Sequence, residues 1–449
     1  MIEMMIVVFV VGYLMIAIEH VLGINKATFA LLMGGVLWTM FAFTGMVDNL
    51  DVVLVEHLGD TCEILVFLIG AMIIVELIDR YNGFSFITQV IHLHNERRLL
   101  FVLSLVTFFM SAVLDNMTTT IVMIMLMRRL LANAEDRWLF AGVIVIAANS
   151  GGAWSPIGDV TTIMLWMNEN VTSLDLIVNL FVPCLVSTIV PAYMASLMIK
   201  NKTLVAATPE NSTVECGEGD GSGVNPRLSR LVMIVGVASL IFVPVFKTLT
   251  GMPPFIGMMI SLSIMWLLTE VLANKYKFDK SFGGRVSQAV RNIDMPTILF
   301  FLGILMAVGA LQAAGILSEI AHFLDRTIHE PFIINTIIGA LSSVIDNVPL
   351  VAACMDMYPI LDAAQVAASV DPAYANHFIA DGLFWHLLTF CAGVGGSMLI
   401  IGSAAGVVAM GLEKISFWWY LKRISLLALV GYVCGILTIW AQHSIIGIG

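Results

Sequence analysis

Four short segments put oxygen-bearing side chains inside otherwise apolar sequence. The first runs Leu114, Asp115, Asn116, Met117 and then Thr118, Thr119 and Thr120. The second opens at Asn149, Ser150, Gly151 and Gly152, passes Ser155, Pro156 and Gly158, and ends at Asp159, Val160, Thr161 and Thr162. The third holds Ser342 and Ser343 just before Asp346, Asn347 and Pro349, and the fourth holds Gly393, Gly395, Gly396, Ser397, Gly402 and Ser403. Carboxylate, amide and hydroxyl oxygens with no soft ligand suit a hard cation. A carboxylate taken out of water also holds a proton more readily, because desolvation disfavours its charged form. Cation and proton then compete for one place. If only the loaded forms change the side they face, that competition produces exchange of one for the other.

The plainer alternative is that an isolated Asp caps a half-helix, its oxygen accepting a backbone N–H. This applies most strongly to Asp346, which stands at the start of a second leg, and least to Asp115 and Asp159, which are flanked by helix breakers. Other polar residues ask for less explanation. Glu63 and Glu76 share one apolar run and either serve a proton path or snorkel to its ends, the second being favoured. Asp79 and Arg80 read as interfacial, and the nine histidines are dispersed, as solvated or satisfied side chains would be. The 28 Met and the six scattered cysteines read as apolar filler, with no CxxC pair and no zinc or disulfide framework.

The elements that carry these segments follow from composition. Of the 449 residues, 59% are hydrophobic and 12% charged, with mean hydropathy +0.96. That charged fraction is about half of the roughly 25% of a soluble domain, which sets aside soluble enzymes, coiled coils and nucleic-acid binders; a net charge of −11 also speaks against polyanionic partners. Runs able to span the bilayer lie near 4–22, 27–44, 62–80, 138–168, 174–199, 228–249, 253–273, 297–314, 380–411 and 417–441. Blocks 99–135 and 332–369 are each split by an Asp-Asn pair into legs of about 15 residues, roughly 22 Å of helix. Both read as re-entrant hairpins. The expectation is an all-α polytopic membrane protein of about ten spanning helices plus two hairpins with broken helices.

Charge tests that map. With the hairpins re-entering, all of the 21 Lys and Arg except Lys247 and Arg326 fall on one face, which the positive-inside rule makes cytoplasmic. Both termini are then outside. The first residues, Met1 to Met5, carry Glu3 and no basic residue, unlike a signal peptide, and read as the first span. The predicted organisation is N-terminal scaffold helices over 1–60, a first repeat over 61–199, a polar Gly-rich cytoplasmic linker over 200–227, scaffold helices and a cytoplasmic loop over 228–296, and a second repeat over 297–449. The repeats share landmarks in order. FLIG at 67–70 and FFLG at 300–303, Gly83 and Gly315, Asp115 and Asp346, Gly152 and Gly396, and Gly158 and Gly402 lie 231 to 244 residues apart. The hairpins open to opposite faces, so the repeat is inverted, the architecture of secondary transporters with their site where broken helices meet. Stretches Gly83–His94 and Gly315–Asp325 are expected as amphipathic helices lying in the interfaces, linking spans to hairpins.

On Leu114–Thr120, Asn149–Thr162 and Ser342–Leu350 the chain resembles the NhaD-type sodium/proton antiporters of the ion-transporter superfamily, over about residues 60–425. The resemblance implies exchange of cytoplasmic Na⁺ or Li⁺ for external protons in a bacterial inner membrane, favoured at alkaline pH. It also implies a scaffold and a transport subdomain with two hairpins, often as a homodimer, and needs no cofactor beyond the transported ions. Carried over, Asp115, Asn116, Asn149, Asp159, Thr161, Thr162, Ser342, Asn347, Ser397 and Ser403 become candidates for cation or proton binding, with Na⁺ or Li⁺ held by Asp115, Asp159, Asn116 and Asn347. Asp346 joins them on its position at the second tip.

Three rivals differ in chemistry. A dicarboxylate, citrate or arsenite carrier of the same superfamily would face three central carboxylates that repel an anion unless neutralised. The superfamily's dicarboxylate carriers resemble Ser-Asn-Thr at their hairpin tips, whereas both tips here read Asp-Asn. An intramembrane aspartyl protease resembles Gly-x-Gly-Asp with a Tyr-Asp partner, and this chain has Pro156, Ile157, Gly158 and Asp159 with no membrane Tyr-Asp. No catalytic residues are therefore assigned. A channel of this build would not need titratable groups at its breaks, and its conductance would be independent of protons.

Overall fold

The computed structural model describes residues 1–17, 22–46, 49–83, 95–131, 133–199, 225–276, 286–344 and 346–446. The expected linker and the interfacial stretch after Gly83 lie largely outside them. Among the described residues the regular structure is helical. The helices are α1 (Ile2–Ala17), α2 (Lys26–Ala42), α3 (Leu50–Arg80), α4 (Glu96–Ser111), α5 (Asn116–Leu130), α6 (Ala134–Gly152), α7 (Val160–Met167), α8 (Ser173–Met198), α9 (Pro226–Thr250) and α10 (Pro254–Lys275). After them come α11 (Met295–Ala313), α12 (Ile316–Thr327), α13 (Pro331–Ser342), α14 (Asn347–Met357), α15 (Leu383–Gly395), α16 (Ala404–Glu413), α17 (Phe417–Arg423) and α18 (Ser425–Ala441).

Six of these helices, α3, α8, α9, α10, α11 and α18, are long and apolar enough to cross a membrane unaided. A seventh candidate is the pair Pro372–Phe378 and Leu383–Gly395, bent by 50°. Helices α1, α2, α13, α14 and α16 are apolar but short. The chain is thus a multi-span helical membrane protein.

Local chemistry explains the starts. Asn95 accepts from the backbone N–H groups of Arg97 and Arg98, Asn133 from Glu135 and Asn225 from Arg227, each satisfying donors that a helix end leaves open. Two elements depart from the hydropathy reading. Helix α3 begins at Leu50, not near 62, and its 31 residues extend roughly 46 Å. Asp51, Glu56 and Asp60 lower the hydropathy of the first turns without opposing helix, so an apolar window sees only the later part. The run 417–441 is divided at Ile424, where α17 ends on Lys422 and Arg423. Helix α12 is strongly amphipathic, as expected for the stretch after Gly315, which takes φ +74 at its start.

The packing comes in matched pairs. Helix α2 lies on α11, and α10 on α3; α4 lies on α6, and α13 on α15; α5 lies on α16, and α14 on α7. Helix α8 packs along α18. The hairpin legs α4–α5 and α13–α14 and the broken helices α6–α7 and α15–α16 thereby meet in one place.

Candidate functional site

The two breaks are made by backbone approaching backbone. A Cβ on Gly158 would sit 2.5 Å from the carbonyl oxygen of Ser111, and one on Gly402 would sit 2.4 Å from that of Ser343. Only glycine fits at either point. The first legs of the hairpins are tied down by hydroxyls: Ser111 Oγ donates to the Ala148 carbonyl at 2.6 Å, and Ser342 Oγ to the Ala392 carbonyl at 2.7 Å. Four half-helices then start at the centre. Asp115 caps α5, Asp346 caps α14, Asp159 caps α7 and Ser403 caps α16. Their N-terminal dipole ends, each worth up to ~1 kcal/mol or more when partly buried, favour negative charge there.

Asp159 is the hub. Its Oδ2 accepts from Asn116 Nδ2 at 2.9 Å and from Asn347 Nδ2 at 3.2 Å, and its Oδ1 from the Thr161 backbone N–H at 3.3 Å. Asn116 also donates to Asn149 Oδ1 at 3.1 Å, while Asn149 Nδ2 reaches Ser397 Oγ at 2.9 Å and Ser403 Oγ at 2.8 Å. Thr162 completes a capping box with Asp159, its hydroxyl donating to the Asp159 carbonyl at 2.7 Å. Among the described residues the buried Thr161 hydroxyl makes no well-directed hydrogen bond. All of these side chains are buried, Asp159 with 2% of its surface exposed.

Of the residues expected at the site, Asn116, Asn149, Asp159, Thr161, Thr162, Asn347, Ser397 and Ser403 come together, and three stand apart. Asp115 accepts from the Thr118 N–H at 2.8 Å and the Thr118 hydroxyl at 2.6 Å, a cap on α5 at the wall of a cavity. Asp346 pairs with Lys26 Nζ at 2.9 Å and caps Val348. Ser342 spends its hydroxyl on the Ala392 carbonyl. Glu76 pairs with Arg80 at 2.7 Å, whereas Glu63 faces a second cavity.

Lys26 is the partner that sequence reasoning misses. It lies 320 residues from Asp346 and at the end of an apolar run, so nothing local announces the pair. Ser111 is likewise absent from the expected set, although its place one hairpin before Ser342 in the repeat would have found it.

Two cavities approach from opposite ends. One of about 220 Å³ is lined by Glu76, Asp79, Asp294, Thr297, Asp115 and Asn116, so it ends one hydrogen bond from Asp159. The other, about 430 Å³, holds Glu56, His57, Asp60, Glu63 and Asp356, and its wall includes Met164 and Met167 of α7.

The electrostatics constrain the ligand. The described ion pairs leave Asp159 without a cationic side chain. A buried, unpaired carboxylate costs several kcal/mol. Three hydrogen-bond donors and a helix N-terminus offset part of that, and a bound proton or cation removes the rest. Amides suit both states. Their N–H₂ groups donate to a bare carboxylate, and turned over they present Oδ1 to a cation or to a carboxylic O–H.

A multi-span helical fold with broken helices meeting at a buried polar centre is the architecture of secondary transporters. The chain belongs to the family whose model is described as citrate transporter, which matches residues 3–376. Relatives of the chain carry the name sodium/proton antiporter. The chain is 42% identical over 448 residues to sodium/proton antiporter 1 of Arabidopsis thaliana, covering 98% of this chain and 72% of that protein. It is 41% identical to sodium/proton antiporter 2 of the same plant, covering 98% and 99%. It is 29% identical to the Na⁺/H⁺ antiporter NhaD of Vibrio cholerae, covering 96% and 89%.

Proposed function

We propose that the protein is a secondary antiporter exchanging cytoplasmic Na⁺ or Li⁺ for external protons by alternating access, with the ions as cargo and no cofactor. The observation that carries this is the buried Asp159 carboxylate, held by Asn116 and Asn347 with no positive partner among the described residues. A proton or a small cation neutralises it; a citrate or succinate anion would add negative charge to it. The names of the relatives favour the same reading over the anion carrier that the family description suggests. The cavity on the Glu76 and Asp79 side supports a form open to the cytoplasm, in which Asp159 releases its proton and takes Na⁺ from the Asn116 side.

The matched helix pairs and the landmarks 231 to 244 residues apart support an inverted repeat, with α1, α2 and the broken span α6–α7 bringing the candidate spans to ten and the two hairpins standing apart from them. The charge bias supports both termini outside, in a bacterial inner membrane as the resemblance implies. A homodimer belongs to the same proposal, to be checked by cross-linking in the membrane.

The test is dissipation of a pH gradient in everted vesicles on adding NaCl, LiCl, KCl or succinate. Na⁺ and Li⁺ should dissipate it, more strongly as pH rises, because protons then leave the carboxylate to the cation. Silence to every cation together with uptake of succinate would replace this reading by the anion carrier.

A further inference from the structure

About two turns along α15 from Gly393, the residue beside Asp159, three other potential ligands converge. Asp175 in the first turn of α8, Asp381 in the bend before α15 and His386 in the first turn of α15 place one ligand atom each within 4.8 Å of one another. Nothing local links them; the contact is made by the fold. His386 is 2% exposed, and its Nε2 is buried without a well-directed hydrogen bond, although it lies 2.5 Å from Asp175 Oδ2. An imidazole nitrogen aimed at a carboxylate oxygen so closely and off the bonding direction is an arrangement that a bridging cation relieves.

The carboxylates are themselves held from behind. Asn179 Nδ2 donates to Asp175 Oδ2 at 2.9 Å, and the Thr172 N–H donates to Asp381 Oδ1 at 2.5 Å. Such outer partners orient the ligands of metal sites. One imidazole and two carboxylates suit a borderline divalent cation better than Mg²⁺ or Ca²⁺, which prefer oxygen alone.

We propose that Asp175, Asp381 and His386 form a binding site for a zinc-class divalent cation, with a fourth position open to solvent at the half-exposed Asp175 side chain. The carboxylate of Asp175 turns slightly away from Nε2 to admit the ion, since two ligands of one Zn²⁺ stand roughly 3.3 Å apart. The site joins the start of α8 to the start of α15, and the far end of α15 carries the break next to Ser397. On the charge map it faces outside. A bound ion would therefore pin the outer end of a broken helix, a role independent of which ion the centre transports.

The chain, purified in detergent and stripped with EDTA, tests this at pH 8. Loaded with ZnCl₂ and desalted, it should retain about one Zn²⁺ per chain and melt at higher temperature, with MgCl₂ giving neither effect. Asp381→Asn and Asp175→Asn should each weaken Zn²⁺ binding by at least about tenfold while the metal-free proteins melt as the parent does. His386→Gln should do the same; if it fails to fold, the two Asn variants still decide. No zinc retained, or zinc retained equally by the two Asn variants, would overturn the site. A rise in melting temperature on acidification alone, without zinc binding, would make the cluster an ordinary imidazolium–carboxylate pair.

Discussion

In the first broken helix Gly152 meets Gly158 and Asp159 caps the second half; in the second, 244 residues later, Gly396 meets Gly402 and Ser403 caps the second half. The hairpins behind them are tied by equivalent serines, and the tips begin with Asn116 and Asn347, both donating to the same Asp159 oxygen. The backbones are alike, and the chemistry is not. One cap is a carboxylate and the other a hydroxyl. Opposite Asn149, whose amide bridges to Ser397 and Ser403, the second helix has Gly393, where a Cβ would already touch Ala153 and come within 4.0 Å of Asp159 Oδ2. A near-symmetric frame thus builds a neutral polar cage, and a few unmatched residues place one negative charge in it. In the proposed antiporter the frame sets where ions bind, and the asymmetry sets which sign.

The largest effect should come from erasing that asymmetry. Asp159→Asn leaves an isosteric, uncharged side chain, and ion exchange in everted vesicles should fall by at least about a hundredfold, more than any single neutral hydrogen bond supplies. Protein content of the membrane should stay normal. Retained exchange would move the charge requirement to Asp115 or Asp346.

The frame itself comes next. Gly158→Ala and Gly402→Ala each push a methyl into a carbonyl oxygen, so both should lower the melting point of the purified protein by an amount corresponding to about 1–3 kcal/mol or more. Gly411→Ala, with nothing within 4 Å, is the control and should not. A defect in only one break would mean that the two are not equivalent supports.

These breaks are legible in the sequence because Asp-Asn pairs and clustered glycines interrupt apolar runs, and that interruption is a local signal. That Asn116, Asn149, Asp159, Asn347, Ser397 and Ser403 belong to one place follows from the same signal; that Asp159 takes both tip amides while Asp115 turns to Thr118 does not, because both are carboxylates beside a break. What stayed hidden was set by distance in the chain. Lys26 neutralising Asp346, and His386 meeting Asp175 and Asp381, are contacts between remote segments with no shared motif. The early start of α3 was hidden for another reason, since hydropathy detects membrane and not helix.

The two tip amides sharpen the comparison further. Asn347→Ala removes one donor to Asp159, and the apparent Na⁺ constant for exchange should rise roughly tenfold, the worth of one hydrogen bond to a charged group. Asn116→Ala should cost more, because Asn116 also bonds Asn149. The reverse order would place the cation nearer the second tip.

The smallest effect separates frame from ligand at Ser342. Its hydroxyl is committed to the Ala392 carbonyl at 2.7 Å, as Ser111 is to Ala148 at 2.6 Å, and each bond joins a hairpin leg to the broken helix beside it. A buried serine with such a bond contributes about 1 kcal/mol, and its replacement leaves one carbonyl unsatisfied. Ser111→Ala and Ser342→Ala should therefore lower the melting temperature by similar small amounts and leave the Na⁺ dependence of exchange where it was. If Ser342→Ala alone raises the apparent Na⁺ constant, its hydroxyl must turn from the carbonyl to the ion during transport. The second hairpin would then supply a ligand that the first does not, and the frame, like the caps, would be unequal.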